Sequence, residues 1–226
     1  MEDRGYYYVV DYRPDHLKPK PKRDKIWKFS ITELKQLTVS VAVITLIFAR
    51  IFGAFEAIAD KDYIDAVAIF LGSFFATLTG FVFHELAHKF TAQRYGLWAE
   101  FRYDLNMLMF AMVLALVMGF AFIAPGAVMI SGYYITREQN GKISVNGPLT
   151  NFMVASLALC FIMIGVSGII GTVLYYVFYI NVFLGLFNLL PFGPLDGKKV
   201  FEWNKELWAS CILLGIGLII SHYLLT

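Results

Sequence analysis

Six stretches of the chain are almost continuously apolar: Leu37 to Phe55, Tyr63 to Phe90, Leu105 to Ala124, Leu149 to Ile170, Thr172 to Pro191 and Leu207 to Leu225. Each approaches or exceeds the ~18 residues that a helix, rising about 1.5 Å per residue, needs to cross the hydrocarbon of a bilayer. The pattern predicts an all-α polytopic membrane protein with five to six hydrophobic helical segments. Between the third and fourth stretches, Ala127 to Ser144 alternates in polarity around Asn140-Gly141, a strong turn dipeptide. That segment predicts a membrane-associated β-hairpin.

Charge divides the chain unevenly. Fifteen of its 36 charged residues precede position 37, so residues 1–36 are expected to form a polar, basic cytoplasmic tail. Residues 37–226 then form a membrane-embedded domain with its core at 63–199. The loop bearing Glu56, Asp60, Asp62 and Asp65 suits the outer side. Lys89, Arg94 and Arg102, then Arg137 and Lys142, then Lys198, Lys199 and Lys205 mark three cytoplasmic stretches. Leu105 to Ala124 would therefore begin and end on one side. A re-entrant helix that returns as extended chain is expected, with a plain sixth span as the alternative.

Composition narrows the function. With 58% hydrophobic and 16% charged residues, the chain is not a water-soluble globule. A net charge of +2, tied to hydrophobic flanks, excludes a nucleic-acid surface. Cys160 and Cys211 stand alone in apolar runs, so neither a disulfide framework nor a cysteine metal site is indicated. The N-terminus lacks the short apolar core of a cleavable signal peptide, and the first segment is expected to be retained.

The chemistry lies in two breaks of the apolar pattern. His84-Glu85-Leu86-Ala87-His88 is an HExxH sequence inside the second segment. On a helix, residues four apart share a face, so both imidazoles can hold one metal ion while Glu85 stands ready to take a proton from water there. Ionisable groups at membrane depth are costly and are functional candidates for that reason. A tetrahedral site with an open position needs a third protein ligand. His16 lies in the tail and His222 near the far end of the last segment, so both are poor choices. Asp196 follows the fifth segment, in Asn188-Leu-Leu-Pro191-Phe-Gly-Pro194-Leu195-Asp196-Gly197. The prolines and Gly193 there break the helix and free backbone groups that must line a polar cavity.

Together, His84-Glu85-x-x-His88 and Asn188-x-x-Pro191-x-x-x-Leu195-Asp196-Gly197 resemble the motifs of the site-2 protease family of intramembrane zinc metalloproteases. Gly147-Pro148-Leu-Thr-Asn151, opening the fourth segment, is similar to a third family element. The resemblance spans roughly Ala66 to Lys199. It implies Zn2+ as cofactor, with His84, His88 and Asp196 as ligands and Glu85 as the base. Asn188 would hydrogen-bond the substrate backbone or the developing oxyanion, and Asn151 would bind substrate or serve helix packing or backbone bonding. It also implies a transmembrane protein as substrate and an active site toward the cytoplasmic side of the cell membrane. A zinc transporter or sensor is the alternative; it has no need of the glutamate between the histidines. The sequence leaves the substrate and oligomeric state open.

Overall fold

A computed structural model describes residues 28–119, 126–131 and 135–225; most of the basic tail, including His16, lies outside them. Five helices are long and apolar enough to cross a membrane. They are α1 (Ile31–Ile51), a continuous rod (Tyr63–Arg94), α6 (Arg137–Met163), α7 (Gly168–Asn188) and α9 (Lys205–Leu225). The rod comprises α3 (Tyr63–Thr77), one π turn (Leu78–Val82) and α4 (Phe83–Arg94). Its 32 residues extend about 48 Å, longer than the ~30 Å of hydrocarbon, so the rod tilts or protrudes. Polar caps set the starts. Ser30 accepts from the Glu33 amide at 3.1 Å to open α1, and Asp62 from the Asp65 amide at 3.0 Å to open α3. The short α2 (Ala54–Ala59) joins them, its Glu56 pairing with Arg50 at 2.6 Å.

The third apolar stretch forms α5 (Leu105–Met118), whose 14 residues reach only about 21 Å. Gly119, at φ +64°, closes it in the left-handed conformation. Before it runs β1 (Trp98–Tyr103), and after it β2 (Gly126–Ser131). The two are antiparallel, in register from Trp98 opposite Ser131 to Tyr103 opposite Gly126. Because Tyr103 faces Gly126, the stretch between them leaves and returns at one level and makes no net crossing. Ala111 and Ala115 seat α5 against Ile47 of α1.

The sheet differs from the expected hairpin. Only its first arm is a strand, and the partner of that strand precedes α5. The expected turn at Asn140-Gly141 lies inside α6. A capping box opens that helix: Thr136 Oγ1 accepts from the Gln139 amide at 3.1 Å, and Gln139 Oε1 from the Thr136 amide at 3.0 Å. The glycine serves packing instead, since a β-carbon on Gly141 would stand 2.5 Å from Trp203. Residues 132–134, also assigned to the hairpin, lie outside the described residues.

Ile44, Phe48, Phe81, Phe101, Leu159 and Phe178 form the main core, joining α1, the rod, β1, α6 and α7. A second cluster of Val145, Phe152, Leu189, Val200 and Cys211 holds α8 (Asp196–Trp203) and α9 against α6. Rod, α6 and α7 run alternately down, up and down. The end of α4, the start of α6 and the end of α7 therefore meet at one end of the bundle.

Candidate metal centre

His84, Glu85 and His88 are buried on α4, just past the π turn, where the Phe83 amide reaches back to the Leu78 carbonyl. Asp196 enters from the first position of α8. Its Oδ2 lies 3.2 Å from His84 Nε2 and 2.9 Å from His88 Nε2. One donor atom from each of the three falls within 4.8 Å of the others, and no second group of this kind occurs among the described residues. His222 packs against Tyr175, Phe178 and Tyr179, toward the opposite end of α7.

Each donor is held from behind. His84 Nδ1 meets Asn151 Oδ1 at 2.5 Å, and His88 Nδ1 meets the Ile143 carbonyl at 2.8 Å. The Asn151 amide nitrogen donates to the Gly80 carbonyl at 2.9 Å and to Asn181 Oδ1 at 3.2 Å, so its oxygen faces the histidine. Oxygens that only accept place the proton on each Nδ1 and leave both Nε2 lone pairs aimed at the centre. Lys199 donates to Asp196 Oδ1, the carboxylate oxygen turned away from the histidines, at 3.5 Å. A neutral imidazole pair with one carboxylate is a donor set suited to zinc-type divalent ions.

Two glycines make the approach possible. A β-carbon on Gly147 would lie 2.5 Å from His88 Nε2 and 2.6 Å from His84 Nε2. On Gly197 it would strike the Leu189 carbonyl oxygen at 2.0 Å. Gly193, at φ +61°, bends the proline-broken link that returns Asp196 beneath α7.

Beside the donors opens a cavity of about 160 Å³, room for about five waters. Glu85, Asn188 and Lys199 line it, opposite Gly126, Val128 and Ile130 of β2. Glu85 Oε2 accepts from the Val128 amide at 3.0 Å. Asn188 reaches the cavity with its amide nitrogen donating to the Leu184 carbonyl at 3.0 Å. Asn151 is not among the residues lining it; fully buried, it lies behind His84. Lys199, Ile143 and the spacing role of Gly147 escape sequence reasoning. Lys199 carries a signal, three residues after Asp196 on one helical face, and Gly147 carries one as the first residue of its Gly-Pro-x-x-Asn element; the Ile143 carbonyl carries none.

Asn151→Ala removes the acceptor that orients His84. Metal affinity is expected to fall about 10- to 100-fold, measured by chelator competition; wild-type affinity would remove Asn151 from the centre.

A helical membrane bundle with a buried two-histidine, one-carboxylate centre and an adjacent glutamate defines a membrane metallohydrolase architecture. The profile of peptidase family M50 matches residues 166–209. The candidate zinc metalloprotease MJ0611 of Methanocaldococcus jannaschii is 41% identical over 198 residues, covering 86% of this chain and 94% of that one. Two others match more briefly. Candidate zinc metalloprotease YwhC of Bacillus subtilis is 30% identical over 142 residues, 55% of this chain and 65% of its own length. Zinc metalloprotease MJ0392 of M. jannaschii is 30% identical over 124 residues, 54% of this chain and 30% of its own length. No solved structure matches the chain significantly. The chain belongs to peptidase family M50, and it is an integral membrane protein.

Proposed function

We propose that this protein is an intramembrane zinc metalloprotease of the site-2 type, hydrolysing peptide bonds in or near the transmembrane segments of membrane proteins. The observation that carries this is the convergence of His84, His88 and Asp196 on one point with Glu85 at the same cavity. His84, His88 and Asp196 are the zinc ligands. When bound, zinc supplies Lewis acidity to water and to the peptide carbonyl. Glu85 takes the proton of the attacking water and returns it to the leaving amide nitrogen. Asn188 donates to the substrate carbonyl where negative charge develops.

The basic residues at the site's end of the bundle, Arg94, Arg102, Arg137, Lys198 and Lys205 among them, and the acidic 56–65 loop at the other support a cytoplasmic-facing site in the cell membrane. Residues 37–226 then form the protease domain and 1–36 its cytoplasmic tail.

In a helix each peptide carbonyl is bonded to the amide four residues on, so a substrate helix must unwind to offer a carbonyl to the centre. The β2 edge suits an extended peptide. Val128 and its partner Phe101 both send their amides away from the sheet, to Glu85 and Glu33. They are thus a non-hydrogen-bonded pair, and alternation turns the backbone groups of Gly126 and Ile130 outward as well. A substrate strand added there replaces its lost helix bonds beside the metal ligands. Ile130→Pro removes one outward amide and no β1–β2 bond. Cleavage is expected to fall about tenfold or more with zinc retained, and an undiminished rate rejects strand addition.

The reading is tested by purifying the protein in detergent, quantifying zinc and assaying single-span peptides for chelator-sensitive cleavage. Cleavage lost on chelation and restored by zinc supports it. Zinc flux into liposomes without cleavage would establish a transporter instead.

A further inference from the structure

Two charges that the proposed chemistry does not use lie completely buried in the bundle. Glu33, in the first turn of α1, ion-pairs with Lys89, the residue immediately after His88, and neither side chain is exposed at all. Lys89 also donates to the Lys28 carbonyl at 2.7 Å and sits 3.9 Å over the Phe29 ring. The second carboxylate oxygen of Glu33 accepts the Phe101 amide of β1 at 2.9 Å. One carboxylate thus fastens α1, the HExxH helix and the sheet. Ser30 adds a second tie, donating to Glu100 Oε2 at 2.9 Å. Charges so far from water persist only with such complete partnering, and a buried pair of this kind specifies geometry more than it stabilises.

The contacts close a ring around the site. From His88 the helix leads to Lys89, then Glu33, then Phe101. Phe101 faces Val128 across the sheet, and the Val128 amide returns to Glu85. Glu33 therefore fixes the sheet from its β1 side, so that the β2 edge meets the metal ligands at one set height. It also occupies the outer edge of β1 and denies it to any other strand. A peptide paired with β2 advances about 3.3 Å per residue, so a displacement of the sheet by that amount presents a different bond to Glu85.

We infer that the buried Glu33–Lys89 pair is a positioning device that sets the register of the substrate strand against the catalytic centre and thereby selects the bond that is cut. The inference rests on the protease reading and on strand addition to β2.

The test is a double variant, Glu33→Leu with Lys89→Met, which removes both charges and the strand contact without leaving a buried ion unpaired. A single-span peptide cut at one bond by wild type is digested, the products are mapped by mass spectrometry, and bound zinc is measured alongside. The expected result is full zinc content with cleavage spread over neighbouring bonds, the preference for the original bond falling about tenfold. Should the double variant prove inactive, Glu33→Asp, which keeps the charge on a shorter side chain, gives the same readout. Cleavage confined to the original bond in the variant that is active overturns the inference, whatever its rate. So does loss of zinc, which would make the pair a support of the metal centre. Failure of wild type to cut any peptide rejects the protease reading itself, and is thereby distinguishable.

Discussion

Glu85→Gln is expected to leave the protein folded and fully loaded with zinc while lowering peptide hydrolysis by about 10²- to 10⁴-fold, the usual contribution of a positioned general base. The substitution isolates the proton transfer because the shape barely changes. Glu85 is not one of the three converging donors, so His84, His88 and Asp196 are untouched. The hydrogen bond that Glu85 accepts from the Val128 amide at 3.0 Å can be kept by the glutamine carbonyl. What disappears is the ability to take a proton from water and hand it to the leaving nitrogen. Zinc content and cleavage of a single-span peptide, measured on one preparation, check both halves of the expectation. Full activity in the variant would remove Glu85 from the chemistry, and loss of zinc would mean that the side chain supports the centre instead.

The parts of this protein legible in its sequence are those that local spacing determines. Five long helices follow from uninterrupted apolar runs, and His84, Glu85 and His88 follow from helical periodicity. Asp196 was reachable because Pro191, Gly193 and Pro194 break a helix where a break requires polar surroundings. Charge placement anticipated that 105–124 adds no crossing, and the pairing of Tyr103 with Gly126 provides the geometry. The misplaced hairpin shows where such reasoning stops. Asn140-Gly141 has the chemistry of a turn, yet the Thr136–Gln139 capping box and the close approach of Trp203 give the same residues to a helix. Strand β1 is hidden in the sequence because Trp98 to Tyr103 is short and its Glu100 and Arg102 break the apolar pattern. Glu33 and Lys89 look like interfacial charges in sequence, and only the packing of α1 on α4 and β1 makes them fully buried. The Ile143 carbonyl that orients His88 has no side-chain signature at all.

Gly147→Ala is expected to lower zinc affinity at least about 100-fold in a protein that still folds. Alanine is the better helix former by about 1 kcal/mol, so α6 itself has no local reason to fail. The damage falls on the centre. The added β-carbon would stand 2.5 Å from Cε1 and Nε2 of His88 and 2.6 Å from Nε2 of His84, about 1 Å inside normal contact. Neither ring can retreat freely, because Asn151 holds one Nδ1 and the Ile143 carbonyl the other. Either the imidazoles turn away and surrender those bonds, or α6 withdraws from α4 and carries both anchors with it. Each outcome moves the nitrogens by more than the ~0.2 Å that zinc ligand distances tolerate. Affinity should therefore fall at least about 100-fold, with cleavage lost in parallel and the helical circular dichroism unchanged. Chelator competition against wild type measures it. Zinc held at wild-type strength would mean that α6 can back away without disturbing the ligands, and the close approach of α6 to α4 would then have no part in building the site.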